Sequence, residues 1–221
     1  MSLNSETGKI MLDRIVLKLA KPLLETTART LVSRLTADQV SILGFIAGIG
    51  GAVAIAFHQY YLGLSLILLN RLADGVDGTL ARMKGATDSG AYLDISLDFV
   101  FYSAVVFGFA LADPVANSLA AAALIFSFVG TGSSFLAFAI LAERRKLTNL
   151  RLPNKGFYYL GGIAEGTETT LFFILFCLAP GSFTALAWLL AAICWISTCL
   201  RITYAYKTLK ADGGTADHGV G

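Results

Sequence analysis

Charge is scarce in this chain. Only 14% of its 221 residues are Asp, Glu, Lys or Arg, where ordinary soluble domains carry about 25%. With 56% hydrophobic residues and a mean hydropathy of +0.69, that shortage argues against a soluble globular enzyme, a disordered chain and a nucleic-acid binder. The net charge of +2 is too small to imply a polyanionic partner. Cysteine is scarce as well. Cys177, Cys194 and Cys199 all lie in apolar runs, which makes neither a disulfide framework nor a paired-Cys metal site and leaves the redox compartment open. The first residues lack the basic start, apolar run and small-residue cleavage site of a signal peptide, so no cleavage is expected.

What the chain has in excess is long apolar runs. A spanning helix needs roughly 20 mainly apolar residues, and six runs qualify: about 39–57, 61–81, 90–112, 115–142, 157–179 and 183–205. They are too long and too evenly apolar for barrel strands, and a bilayer admits only helices or closed barrels. The expectation is an all-α membrane protein, one domain over residues 1–210 with a flexible Gly-rich tail at 211–221. All seventeen Lys and Arg fall on one side of this arrangement. Six precede the first span. Arg71, Arg82 and Lys84 mark the second turn-around, five lie between Arg144 and Lys155, and Arg201, Lys207 and Lys210 follow. The positive-inside rule then puts both termini in the cytoplasm, as in a bacterial inner membrane. Residues 8–24 form a separate piece. Leu12, Ile15, Val16, Leu19 and Leu23 share one helical face with Arg14, Lys18 and Lys21 opposite, the pattern of a helix lying on an anionic leaflet.

The chemistry is concentrated between Asn70 and Asp98. An Asp at the centre of a spanning helix costs about 2.5–3.5 kcal/mol, so carboxylates there are functional candidates by default. Asp74 and Asp77 end the second span, and Asp94 and Asp98 begin the third. At helical spacing Asp74, Asp77, Gly78 and Ala81 share one face, and Gly90, Asp94 and Asp98 share another. The short turn makes the two helices antiparallel neighbours, so all four carboxylates converge just under the cytoplasmic surface. Gly78, Ala81 and Gly90 are small and leave room for a flat ligand. Arg71 and Arg82 offset part of the charge, but two Arg cannot pair four Asp. Two divalent cations would neutralise the site, and oxygen-only ligands suit Mg²⁺ or Mn²⁺. A two-metal site is the usual device for phosphoryl displacement.

The run from Asp74 to Arg82, followed by Gly90 to Asp98, resembles the signature of the CDP-alcohol phosphatidyltransferase family, D-x2-D-G-x2-A-R-x8-G-x3-D-x3-D. All eight fixed positions match, with seven residues rather than eight between Arg82 and Gly90. The missing residue falls in a turn, where length changes are tolerated. Six spans and an N-terminal surface helix fit the family too, and the sequence looks similar to an uncharacterised bacterial inner-membrane branch. The resemblance implies Asp74, Asp77 and Asp94 as metal ligands, with Asp98 a further ligand or near neighbour and also the general base. It implies that Gly78 and Ala81 line the cytidine diphosphate pocket, with Gly90 beside it and Arg82 near the nucleotide phosphates. It implies a homodimer.

The implied reaction moves a phosphatidyl group from CDP-diacylglycerol to an alcohol and releases CMP. A relative in the same family would instead move a phosphoalcohol from a soluble CDP-alcohol onto diacylglycerol. From another class, a divalent-cation transporter could use the Asp cluster, but the outer halves of the second and third spans are nearly wholly apolar. An intramembrane prenyltransferase would lack the Gly-Ala-Arg-Gly pattern. Acceptor candidates are Glu165 and Glu168, three apart on the fifth span, with Lys155 and Arg201 for an anionic acceptor. Gln39 and Ser41 open the first span and resemble the polar start common in this family; the alternative is that they only cap the helix with Thr36 and Asp38.

Overall fold

The protein is described by a computed structural model covering residues 35–145 and 166–213, together with 22, 24, 26–30 and 32. Among the described residues every regular element is helical. Among the described residues the long helices are α1 (Ala37–Ala56), α2 (Tyr60–Lys84), α3 (Asp88–Ala112), α4 (Pro114–Arg144), α5 (Gly166–Leu178) and α6 (Phe183–Gly213). Their starts are fixed by local chemistry. Thr36 and Gln39 form a capping box on α1, with Gln39 N–H donating to Thr36 Oγ1 at 3.2 Å and Thr36 N–H donating to Gln39 Oε1 at 3.0 Å. Thr87 Oγ1 accepts from Gly90 N–H at 3.1 Å at the head of α3. Asp113 accepts from Ala116 N–H at 3.0 Å ahead of Pro114, the first residue of α4. Gly85 ends α2 at φ +98°, a backbone that side chains disfavour.

Among the described residues four helices are long and apolar enough to cross a membrane: α1, α3, α4 and the run Pro180–Lys210 that contains most of α6. Helix α2 has 25 residues, about 37 Å at 1.5 Å each. Its apolar run stops at Asn70, and Arg71, Asp74, Asp77, Arg82 and Lys84 follow. Of the expected fifth span, 157–179, only α5 lies within the described residues, and the expected surface helix at 8–24 lies almost wholly outside them. Helix α6 runs on to Gly213, and the rest of the expected tail at 211–221 lies outside the described residues. Lys207 to Asp212 contains no helix breaker, and Gly213 is the first.

The chain divides into two compact units, one ending at Ala112 and the other beginning at Asp113. In the first unit α1 is the central helix and packs closely on both α2 and α3. Glycines allow the approach. A Cβ on Gly44 would fall 2.6 Å from Ala73 Cβ, and one on Gly48 would fall 2.5 Å from the Phe101 ring. Gly44 faces Ala73 and Gly51 faces Gly63, so α1 and α2 run antiparallel; Gly48 faces Phe101 and Ala52 faces Gly108, so α1 and α3 run parallel. Helices α2 and α3 are therefore antiparallel, as the short turn demands. They are not packed neighbours, however. The small-residue stripe of α1 draws both helices onto itself, and α2 and α3 meet through side chains. Ile55, Ile67, Phe101, Val105, Val106 and Phe109 are fully buried and fill one end of this unit. At the other end Ala28, Val40, Val76 and Leu80 form a smaller cluster, joined by Leu24 and Val32. In the second unit α4 packs along α6, with Phe126 against Trp195 at 5.0 Å between ring centres and the Thr131 and Thr198 hydroxyls 3.0 Å apart.

Candidate active site

The gap between α2 and α3, floored by α1, holds the carboxylates. Asp74, Asp77 and Asp94 each offer an oxygen, and the three oxygens lie within 4.8 Å of one another. Ser41, one turn into α1, donates to Asp77 Oδ2 at 2.5 Å. Asp98 is placed differently. Arg71 Nη2 donates to its Oδ1 at 2.6 Å and Arg71 Nη1 to its Oδ2 at 3.4 Å, while Tyr102 Oη donates to Oδ2 at 3.3 Å. Arg71 Nη1 is also 3.8 Å from Asp74 Oδ2. The expected convergence of four carboxylates thus resolves into a triad and a fourth member paired with Arg71.

Two cavities meet at the triad. A small one of about 10 Å³ is enclosed by Ser41, Asn70, Arg71 and the four Asp, room for about one water-sized particle. A wider groove of about 470 Å³ opens beside it and shares Ser41, Asp77 and Asp94 as its wall. Gly78, Ala81 and Gly90 line that groove. So do Asp38, Lys84 and Thr87. Its volume is within the usual range for small-molecule sites, about 300–1,000 Å³. Arg82 sits beside Gly78 with Nη2 donating to Thr79 Oγ1 at 3.0 Å.

A hard divalent cation fits this donor set. Three carboxylate oxygens at such spacing, with a hydroxyl beside them and no nitrogen or sulfur, suit Mg²⁺ or Mn²⁺. The small cavity beside them is lined by all four Asp.

Glu168 is on α5 and Arg201 on α6, both in the second unit. Arg201 is 4% exposed, and its Nη1 donates to Thr131 O at 2.8 Å and Ser134 Oγ at 3.4 Å. Lys155 and Glu165 lie outside the described residues. Two partners escaped the sequence reading. Tyr102 follows Asp98 by one helical turn, and that spacing was the signal available. Ser41 stands in the polar start of α1, and nothing local marks its reach to Asp77.

The chain is similar to several known proteins. The chain is 49% identical over 202 residues to the inner membrane protein YnjF of Escherichia coli, covering 91% of this chain and 98% of that one. It is 27% identical over 205 residues to an archaetidylinositol phosphate synthase of Pyrococcus horikoshii, covering 90% and 99%. Its fold matches the phosphatidylinositol phosphate synthase of Mycobacterium tuberculosis solved with CDP-DAG bound, at TM-score 0.62 and 24% identity over 84% of this chain and 94% of that one. The same synthase solved with manganese and citrate matches at TM-score 0.60 and 23% identity, over 83% and 88%. The four long apolar helices make the chain an integral membrane protein. The family model for CDP-alcohol phosphatidyltransferases matches residues 34–200, and the chain belongs to that family of transferases.

Proposed function

We propose that this protein transfers a phosphatidyl group from CDP-diacylglycerol to an alcohol, releasing CMP, in phospholipid biosynthesis. One observation carries the reading: two members of a carboxylate triad able to hold a cation, Asp77 and Asp94, line a groove of about 470 Å³ together with the small residues Gly78, Ala81 and Gly90. The mycobacterial relative with CDP-DAG bound supports the donor, and its manganese complex supports the cation. Membership in a transferase family sets aside the cation-transporter reading.

Asp74, Asp77 and Asp94 would hold Mg²⁺ or Mn²⁺, with Asp98 nearby. When bound, the ion withdraws charge from the donor's pyrophosphate and stabilises the departing CMP. The chain's own residues do the rest. Gly78, Ala81 and Gly90 keep the groove open for the cytidine end of the donor, and Arg82 stands at its edge for phosphate charge. Asp98 removes the proton from the acceptor hydroxyl. That oxygen bonds to the phosphatidyl phosphorus as the bond from phosphorus to the bridging oxygen breaks, and CMP leaves with that oxygen. A carboxylate has about four lone-pair sites. Arg71 and Tyr102 occupy three on Asp98, which leaves one on Oδ1 for the acceptor. Glu165, Glu168, Lys155 and Arg201 are the candidates for recognising the acceptor.

The remaining topology belongs to the same proposal. Six spans form one membrane domain over residues 1–210, with residues 8–24 on the cytoplasmic leaflet. The active site faces the cytoplasm of a bacterial cell, and the protein works as a homodimer. The test is purified protein with labelled CDP-diacylglycerol and a panel of alcohols, read by lipid mass spectrometry. A new phospholipid formed in step with CMP is expected. CMP release absent with every alcohol, while diacylglycerol is consumed with a CDP-alcohol, would overturn the direction of transfer.

A further inference from the structure

Arg71 has a carboxylate neighbour on its own helix that it does not grip. Asp74 follows it by three residues on α2, the spacing at which opposite charges on a helix pair. Yet Arg71 Nη1 stays 3.8 Å from Asp74 Oδ2, beyond hydrogen-bond reach. The guanidinium turns across to α3 instead, with Nη2 at 2.6 Å from Asp98 Oδ1 and Nη1 at 2.9 Å from Tyr102 Oη. Asn70 is the residue that turns it. Arg71 Nε and Nη2 both donate to Asn70 Oδ1, at 2.8 and 2.6 Å. Asn70 is anchored in turn: it is 5% exposed, and its Nδ2 donates to the Gly44 carbonyl on α1 at 2.9 Å. A carbonyl only accepts and a guanidinium only donates, so the Asn70 amide has a single orientation that serves both neighbours. Between Asn70, Asp98 and Tyr102, all five N–H groups of Arg71 have partners.

The consequence falls on the cation site. Asp74 offers one of the three clustered oxygens. A guanidinium bonded to that carboxylate would draw on the same negative charge that holds a divalent cation, and Arg71 is about 1 Å short of making that bond. We infer that Asn70 is a positioning residue that holds Arg71 off Asp74 and so keeps Asp74 open to the cation. The inference rests on the proposed role of Asp74, Asp77 and Asp94 as cation ligands. It is independent of whether Asp98 also ligates the cation. It gives a task in the site to a buried amide four residues ahead of Asp74, and it ties that task to the backbone of α1.

The test is a double-mutant cycle on the full chain, read by Mn²⁺ binding with electron paramagnetic resonance of the free ion and no substrate present. Wild type, Asn70→Leu, Arg71→Gln and the double variant are compared. Leucine is close to asparagine in size and suits an apolar helix, but it offers Arg71 no oxygen. Released, Arg71 should swing onto Asp74, and Asn70→Leu should bind Mn²⁺ about 10–100-fold more weakly than wild type, the range typical of residues that orient metal ligands. Arg71→Gln removes the side chain that swings, so adding Asn70→Leu to it should leave Mn²⁺ affinity where Arg71→Gln alone puts it. In turnover, the Mn²⁺ needed by Asn70→Leu for half-maximal rate should rise by the same factor as its binding weakens. A loss of equal size in the Arg71→Gln background would mark a purely structural role and overturn the inference, as would Mn²⁺ binding by Asn70→Leu equal to or tighter than wild type. If Asn70→Leu does not fold, Asn70→Ala is measured in the same cycle and must meet the same criteria. A wild-type protein that binds no Mn²⁺ contradicts the proposed cation site itself, which separates that failure from the failure of the role given to Asn70.

Discussion

Gly78 is where added volume separates the ligand groove from the scaffold. A Cβ there meets nothing nearer than Arg82 Nη1 at 3.6 Å, an ordinary van der Waals contact. Valine can therefore be accommodated without moving a helix, and inside a helix it is intrinsically no worse than glycine. Its three carbons would occupy the groove that the donor must enter. Forcing atoms into an occupied space costs about 1–3 kcal/mol, which is about 5–150-fold in affinity. Gly108 provides the contrast. A Cβ there would fall 2.5 Å from the Ala52 backbone oxygen, so Gly108→Ala must push α1 and α3 apart and lose about 1–3 kcal/mol of stability. The assay pairs thermal unfolding in detergent with equilibrium binding of labelled CDP-diacylglycerol. Gly78→Val should melt with the wild type and bind the donor about 5–150-fold more weakly; Gly108→Ala should melt lower. Donor binding by Gly78→Val equal to wild type would refute the groove assignment. A melting loss like that of Gly108→Ala would refute the open geometry at Gly78.

The other predictions follow from the same contacts. Asp98→Asn should retain Mn²⁺ and donor binding but lose about 10²–10⁴ in rate, since an amide cannot take the hydroxyl proton; substantial activity in this variant would remove the base from Asp98. Asp74→Asn and Asp77→Asn should lose both cation binding and turnover, measured by Mn²⁺ titration and CMP release in the same samples. Gly85→Ala places a side chain at φ +98° and should lower the melting temperature by more than the effect of about 0.4–1 kcal/mol seen when alanine is compatible; an unchanged melting point would contradict the strained turn.

Much of this was legible in the sequence because spacing alone controls it. The i, i+3 and i, i+4 intervals from Asp74 to Ala81 and from Gly90 to Asp98 set which side chains share a face, and the groove is lined by Gly78, Ala81 and Gly90 as those intervals require. Helix starts were legible within a few residues where apolar runs met local caps such as Thr36 and Asp113. Tertiary choices were not. Nothing in the spacing shows that α1, through Gly44 and Gly48, takes the packing surface that α2 and α3 were expected to give each other. The bonds that tune the site cross 36 residues from Ser41 to Asp77 and 27 from Arg71 to Asp98, distances at which local periodicity carries no information. For the same reason charge counting could not separate Asp98 from the triad. It counted four like charges without knowing that one already had a partner.

The central claim is that Asp74, Asp77 and Asp94 bind a cation which the adjoining groove uses to process a CDP-linked lipid. The most direct measurement is CMP release from CDP-diacylglycerol by purified protein as Mg²⁺ or Mn²⁺ is removed with chelator and then restored, with donor binding followed in parallel. Turnover should vanish with the cation, return on its replacement, and never appear in Asp74→Asn. Full turnover in excess chelator would contradict the account.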